Sequence, residues 1–336
     1  MTIYRTMILG ASGYVGGELC RLLASHPALE ASIFVGQGDV GRTLGEVHPH
    51  LAAHGASVIE PYDPARLKDI DLVFAALPHG ATQDLAPAIL DADVAFVDLG
   101  ADFRLDDASD FERWDREAQR APDLLDRFVY GIPELGRAAI RESKAVAAAG
   151  CYATAAILTL APLVRAGLLE PGTLTVDGLS GVSGAGKSPS ATTHFDHVHG
   201  SARAYGLLSH RHTAEMQMAL GQELLFTPHL VPMDRGILVT CHALAASAGN
   251  PLDILHAAYA DEPFVCVVEE PPATKAVMGS NMAHVTARRC ERTGRILALG
   301  AIDNLVKGAA GQMIQCANLM LGLDEATGLP RQGMWP

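Results

Sequence analysis

Residues 3–9 read as a short buried strand. Gly10-Ala-Ser-Gly13-Tyr-Val-Gly16-Gly17 comes next without a break, and Glu18-Leu-Cys-Arg-Leu-Leu-Ala24 then reads as a helix. Strand, glycine turn and helix in immediate succession are what a dinucleotide-binding turn requires. The glycines allow a tight turn and close approach of a pyrophosphate, and the helix start supplies N–H groups without helical partners. The spacing is G-x-x-G-x-x-G, a variant of the usual fingerprint. A glycine turn that merely packs helix on strand is the simpler reading, but the context favours nucleotide binding. Gly10, Ser12, Gly13, Tyr14, Val15 and Gly16 are the residues placed to do it.

Further strands are predicted at 31–35, 71–77 and 94–99, with a helix at 80–90. This alternation predicts an α/β Rossmann domain with a parallel, doubly wound sheet. After the second strand comes Gly36-Gln-Gly-Asp39-Val-Gly-Arg42. An acid at that strand end would suit the ribose of NAD, and an arginine nearby the 2′-phosphate of NADP. Asp39 and Arg42 are both present and neither sits at the strand end, so the segment does not choose between the cofactors.

A chain of 336 residues is too long for one ordinary core, so two domains are expected. From residue 150 the pattern changes to strands at 174–179, 237–245 and 296–302 with few helices. That predicts an α+β domain with a mostly antiparallel sheet. A last helix is predicted at 304–323, with Gly308, Ala309, Ala310 and Gly311 early in it, to pack against the first domain or line the site. The net charge of −13 argues against nucleic acid or an anionic membrane as partner. No apolar run approaches a transmembrane length, and the N-terminal stretch is too short for a signal peptide. Six scattered cysteines without a C-x-x-C pair suit a reducing cytoplasm. His194, His197 and His199 have no accompanying Cys and no H-E-x-x-H pattern, so no metal is expected.

Cys151 stands between an apolar run and a helical segment, in Ala147-Ala-Ala-Gly150-Cys-Tyr-Ala-Thr154. There the helix dipole and unpartnered amides favour thiolate over thiol. It is a candidate nucleophile, set against the plain reading of a buried core cysteine. Ser209-His210-Arg-His212-Thr-Ala-Glu215 is a candidate source of its acid or base, with Glu215 placed to cap a helix start or orient an imidazole. A protonated imidazole there would help hold the thiolate. Gly181-Val-Ser-Gly-Ala-Gly186-Lys187-Ser188 is a literal phosphate-binding-loop pattern. Residues 189–200, immediately after it, are rich in β-branched and polar side chains and form a poor helix, which argues against a nucleotide-triphosphatase. The loop's amides suit an anion-binding nest instead.

Six motifs occur in order: Gly10-Ala-Ser-Gly-Tyr-Val-Gly16, Asp98-Leu-Gly-Ala-Asp-Phe-Arg104, Gly150-Cys-Tyr-Ala-Thr154, Ser180-Gly-Val-Ser-Gly-Ala-Gly186, His210-Arg-His-Thr-Ala-Glu215 and Ala301-Ile-Asp-Asn-Leu-Val-Lys-Gly308. Together, across essentially the whole chain, they resemble the N-acetyl-gamma-glutamyl-phosphate reductases of arginine biosynthesis, a family similar in architecture to aspartate-semialdehyde dehydrogenase. The resemblance implies a Rossmann domain over 1–149, a catalytic and dimerisation domain over 150–303, and a C-terminal segment, 304–336, returning to the Rossmann domain. It implies NADPH as cofactor, a small acyl phosphate as substrate, Cys151 as nucleophile, His210 as acid/base and a homodimer or homotetramer. Tyr205, His212, Glu215, Arg104, Ser183, Gly184, Arg235 and Asn281 are implied as supporting or substrate residues, and Ser180, Gly181, Gly184 and Asn304 as further cofactor contacts. Many relatives carry Ser-Arg where this chain has Gly36-Gln37, leaving Arg42 as the substitute for the 2′-phosphate contact. A sister family of lysine biosynthesis, acting on carrier-linked acyl phosphates, shares some motifs. The Ser180–Gly186 loop and Gly279-Ser-Asn-Met-Ala-His284 look more like the arginine branch.

Overall fold

The computed structural model describes residues 2–54 and 56–336. They form two compact units, one running up to Ala149 and including Ala309–Leu329, the other comprising Gly150–Gly308 and Pro330–Pro336.

The first unit is built on seven strands: β1 (Tyr4–Leu9), β2 (Leu29–Val35), β3 (Ile59–Glu60), β4 (Leu72–Ala75), β5 (Ala95–Asp98), β6 (Val129–Gly131) and β7 (Ala145–Ala148). Their order is β3-β2-β1-β4-β5-β7-β6, and every pair is parallel. The expected doubly wound sheet is therefore present. Strands buried on both faces read as continuous apolar runs, which is why β1, β4 and β5 are visible in the sequence. Met7, Leu9, Ile33, Val35, Val73 and Phe96 share one core cluster.

The helix predicted at 80–90 is divided into a 3-10 turn, Thr82–Asp84, and a helix, Ala86–Asp91. Two causes are visible. Pro87 stands in the first turn of the second piece, where its missing N–H costs nothing. The Asp102 carboxylate accepts the N–H groups of Gly80, Thr82 and Gln83 at 2.7, 2.9 and 3.3 Å, which holds the first turn in place. The helix predicted at 304–323 is a π turn over Val306–Ala310 followed by an α-helix over Gly311–Met320. Its polar residues Gln312, Gln315 and Asn318 are fully buried, and within the first unit they reach Ala149 O, Glu134 and Thr327 O. Buried amides satisfied in this way do not carry the desolvation penalty of orphaned ones.

The second unit has β8 (Thr175–Ser180), β9 (Arg203–Ala204), β10 (Leu225–Leu230), β11 (Ile237–Leu244), β12 (Val265–Val267), β13 (Ala283–Cys290) and β14 (Arg295–Ile302). The order is β12-β13-β14-β11-β8-β10-β9. Pairs β8–β11, β11–β14, β13–β14 and β9–β10 are antiparallel; β8–β10 and β12–β13 are parallel. The sheet is thus mixed, and mostly antiparallel as expected. The helix Cys151–Arg165 lies against one face. Glycines make this close approach possible: a Cβ on Gly178 would lie 2.6 Å from the Tyr152 ring. On the opposite face Leu179, Leu238, Leu297 and Leu299 alternate with the buried residues and remain half-exposed. Among the described residues no helix is long and apolar enough to cross a membrane.

Candidate functional site

The glycine turn between β1 and the helix Tyr14–Leu23 is shaped by contacts that no side chain would allow. Gly10 has φ +83°, and a Cβ there would meet Ala76 O at 2.3 Å. A Cβ on Gly16 would meet Gly10 O at 2.2 Å. Gly10 and Ala11 N–H both donate to Val35 O at 2.9 Å, tying the turn to the end of β2. Gly13 is the N-cap of the helix, no side chain caps it and no acid occupies its first turn. The backbone cradle and the helix dipole therefore fit a pyrophosphate. Ser12 and Val15 are half-buried beside it and Tyr14 is exposed. Sequence reasoning missed His48, whose buried ring places Nε2 2.8 Å from Ala11 O and would be struck by a Cβ on Gly17. Nothing local to His48 in the sequence signals this long-range support. Arg42, on the turn after β2, is bound to Asp39.

Asp98, at the end of β5, and Asp102 are both fully buried. Asp98 Oδ1 accepts from Gly100 N–H at 2.9 Å and Thr82 Oγ1 at 3.0 Å, while Oδ2 makes no hydrogen bond. Burial, reinforced by the neighbouring Asp102 charge, pushes the Asp98 carboxyl up to about 7. Burial also raises Asp102, against the three amides that bond it and Arg104. Arg104 is itself buried and donates from Nη2 to Leu99 O at 2.6 Å. Because the folded state holds the Asp98 proton more tightly than the unfolded chain, its stabilising contribution is full at low pH. It is lost as pH rises through the ordinary carboxylate range toward 7. Asp98→Asn should therefore flatten the fall in thermal stability between pH 5 and 8, an effect on the order of a few kcal/mol. Melting curves at fixed ionic strength check this; an unchanged pH slope would contradict it.

In the second unit, Cys151 is the first residue of a 15-residue helix with Gly150 as its N-cap, and no side chain caps it. The thiol carbon packs against Gly308 in the π turn, where an added Cβ would come within 2.8 Å of Cys151 Cβ. Gly150 N–H donates to Glu215 Oε2 at 2.8 Å. Glu215 is buried in the first turn of the helix His212–Leu220, and its Oε1 lies 3.8 Å from His212 Nε2. One carboxylate thus faces both the elbow that presents Cys151 and the imidazole at the start of the His212–Leu220 helix. No side chain caps the start of the His212–Leu220 helix; Glu215 instead accepts a backbone amide 65 positions away in sequence.

His210 is enclosed by rings: Tyr152, Tyr205, Phe226 and His212 stand edge-on at centroid distances of 5.6, 5.7, 5.4 and 4.7 Å. Burial, and secondarily the Arg211 charge, pushes its pKa down to about 4. At neutral pH it is therefore uncharged, and the imidazolium expected to hold a thiolate is not what this pocket stabilises. His210 Nδ1 accepts the His212 N–H at 3.2 Å, which assigns the remaining proton to Nε2. Tyr205 donates to Tyr152 Oη at 3.4 Å, and Tyr152 donates to His229 O at 2.9 Å. Burial raises both phenols, Tyr205 to about 12, so they remain neutral donors.

The loop after β8 is a single 3-10 turn, Val182–Ala185, ended by Gly186 at φ +83°. No α-helix opens at Lys187, which is exposed. The next helix is the four-residue Phe195–Val198, so the phosphate-binding-loop pattern lacks the helix N-terminus that such a loop needs. The loop instead joins a polar cluster. Asn304 donates from Nδ2 to Ser183 Oγ at 3.0 Å and accepts Gly236 N–H at 2.7 Å. Gly184 lies over Ser180, where an added Cβ would be 3.0 Å from Oγ. Gly181 packs on the backbone of Arg235, whose guanidinium is paired with both oxygens of buried Asp303 at 3.2 and 3.1 Å. Sequence reasoning also missed Asp303, which further accepts the N–H groups of Gly279, Leu305 and Val306. Asn281 is fully buried, and its N–H donates to Pro330 O. Ser180, Gly181, Ser183, Gly184, Arg235 and Asn304 are thus brought together.

Two family profiles match the chain. One is described as semialdehyde dehydrogenase, NAD binding domain, over residues 5–143, and the other as semialdehyde dehydrogenase, dimerisation domain, over residues 151–304. N-acetyl-gamma-glutamyl-phosphate reductase of Desulforudis audaxviator is 45% identical over 98% of this chain and 99% of that protein. The protein of the same name from Symbiobacterium thermophilum is 46% identical over 99% of each. Among solved structures, aspartate semialdehyde dehydrogenase II of Vibrio cholerae superposes with a TM-score of 0.74 at 15% identity, covering 96% of this chain and 99% of that one. The aspartate semialdehyde dehydrogenase of Candida albicans, solved with NADP, gives 0.71 at 14% identity, covering 95% and 99%. At such identities the structures speak for the fold.

Proposed function

This chain belongs to the N-acetyl-gamma-glutamyl-phosphate reductase family, and on that premise we propose that it reduces N-acetyl-gamma-glutamyl phosphate with NADPH, giving the semialdehyde and phosphate. The observation that carries this reading is Cys151 at an uncapped helix N-terminus, with the preceding amide fixed by Glu215. An acyl phosphate is already activated, so a thiolate attacks its carbonyl and the C–O bond to phosphate breaks without strong acid assistance. The product on the enzyme is a thioester at Cys151. NADPH held on the glycine cradle would supply the hydride for this thioester. The tetrahedral oxyanion so formed collapses to the aldehyde and returns the sulfur as thiolate.

The chain's own residues serve that sequence in distinct ways. The Cys151 helix start lowers the cost of charge on sulfur, and its amides face the developing oxyanion. His210, neutral with its proton on Nε2, is a hydrogen-bond donor for the same oxygen. Glu215, His212 and Tyr205 keep the elbow and the imidazole in place. The glycine cradle with Ser12, Tyr14 and Val15 would hold the pyrophosphate. Ser180, Gly181, Gly184 and Asn304 are read as further cofactor contacts, and Arg104, Ser183, Arg235 and Asn281 as substrate residues. The dimerisation-domain match supports a homo-oligomer, which we read as a homodimer or homotetramer. The half-exposed leucines of the sheet face opposite the Cys151 helix are the surface it would cover. We place the enzyme in the cytoplasm.

The test runs the reaction backwards. N-acetylglutamate semialdehyde should reduce NADP only when phosphate is present, and the unacetylated semialdehyde should be a much poorer substrate. Phosphate-independent turnover, or preference for the unacetylated compound, would displace this reading.

A further inference from the structure

In this chain the turn after β2 carries its own acid and its own base. Gly10 and Ala11 are bonded to Val35 O, so the residues leaving β2 run beside the glycine cradle. A Cβ on Gly36 would lie 2.8 Å from Ile59 Cγ2 and 3.2 Å from Ser12 Oγ, so the strand end has no room for a larger side chain. Gln37 is exposed and uncharged. The turn beyond is anchored: Gly41 N–H donates to Ile59 O at 2.8 Å, and Arg42 O accepts from Ile59 N–H at 2.9 Å. Arg42 Nη1 bonds Asp39 Oδ1 at 2.6 Å, and Nη2 bonds Glu46 O at 3.0 Å. The Asp39 side chain is 16% exposed and that of Arg42 is 52% exposed. The Glu46 carboxylate is occupied by Thr43 N–H and Oγ1 and lies close enough to feel the Arg42 charge.

We propose that Asp39 and Arg42 are a two-way selector for the ribose of the dinucleotide: Asp39 accepts the 2′-hydroxyl of NADH, and Arg42 donates to the 2′-phosphate of NADPH. The inference rests on the cofactor reading above. Each ligand engages its residue at the expense of the Asp39–Arg42 pair, which is why the two residues oppose each other. A 2′-phosphate gains a charge-assisted bond from Arg42 but brings its own negative charge against Asp39. A ribose hydroxyl gains an acceptor in Asp39 only when Arg42 gives way. The chain should therefore bind both dinucleotides, preferring NADPH by a narrow margin.

Dissociation constants for NADPH and NADH, read from nicotinamide fluorescence or calorimetry at fixed ionic strength, test this without recourse to turnover. Asp39→Asn should tighten NADPH and weaken NADH, raising the NADH-to-NADPH ratio of constants about tenfold or more, the scale of one charge-assisted contact. Arg42→Ala should move the same ratio the other way by a similar factor. Unliganded melting temperatures guard against a folding defect, and Arg42→Gln, which keeps a donor for Glu46 O, serves if Arg42→Ala is unstable. A ratio that moves less than threefold in Asp39→Asn, or in the same direction in both variants, overturns the selector while leaving the cofactor reading intact. A parent protein that binds neither dinucleotide overturns both.

Discussion

Cys151→Ala is expected to abolish acyl-phosphate reduction and to leave the NADPH dissociation constant within about twofold of the parent, because the thiol acts on substrate rather than on the dinucleotide. Alanine keeps the Cβ that packs against Gly308 and has the highest helix propensity, so the elbow between β7 and the Cys151 helix should survive. What disappears is the sulfur that would carry the acyl group. Cys151→Ser is the sharper control. It restores an oxygen in nearly the same place, but ionising a hydroxyl at neutral pH is far harder than ionising a thiol, even at a helix N-terminus. Serine should therefore remain at least about a thousandfold below the parent, on the scale of losing an activated nucleophile. The pair of variants also decides whether the chain is an enzyme or a protein that only senses a dinucleotide. A sensor would be indifferent to both substitutions. Turnover in Cys151→Ala above a few per cent of the parent would remove the thioester from the mechanism.

Much of the architecture is legible in the sequence because it rests on local patterns. β1 begins one residue after the expected start, and the helix after the glycine turn is present but runs over Tyr14–Leu23, opening four residues before the expected Glu18 and taking in Gly16 and Gly17. β11 and β14 fall within one residue of their predicted limits, since alternation with one buried face leaves a clear period. The family, too, can be read from six ordered motifs, and relatives above 40% identity bear that out. Errors arise where tertiary bonds override local preference. The 80–90 segment has helical composition, yet Asp102 draws three of its amides into a separate turn. The run of small residues at 308–311 reads as a regular helix, but the close approach to Cys151 accompanies a π turn. The literal G-x-x-x-x-G-K-S pattern misleads only if its downstream residues are ignored, because 189–199 hold no more than one short helical turn. His48 escapes notice because its partner is distant in sequence and its immediate neighbours carry no signal, and Asp303 because its ties to Arg235 and Gly279 span many residues although its motif is visible. The charge state of His210 escapes for a related reason. Its enclosure by Tyr152, Tyr205 and Phe226 draws on three separate segments.

That enclosure shapes the second large effect. His210→Asn is expected to lower kcat by roughly a hundredfold or more, the usual scale for losing a positioned proton donor or acceptor. Asparagine can imitate a hydrogen-bond donor near the Nε2 position, but it cannot fill the space between Tyr152 and Phe226, so the donor loses its fixed aim. Cofactor affinity should be unchanged, and Cys151 should remain open to alkylation by iodoacetamide. The sign of the pH dependence separates two roles for the imidazole. His210 has its pKa lowered to about 4, so it stays neutral from about pH 5.5 to pH 8. A donor through Nε2–H would then produce no histidine-type step in kcat/KM over that range, since this quantity reports free-enzyme ionisations. An imidazolium holding the thiolate would instead cause activity to fall as pH rises through the ordinary histidine range. A profile of the parent with such a step, absent in His210→Asn, would return His210 to the charged role that the sequence suggested. If His212→Asn proves the more damaging substitution and His210→Asn turns over nearly normally, the two histidines exchange roles. The 3.8 Å approach of His212 to Glu215 would then belong to the reacting centre rather than to its support.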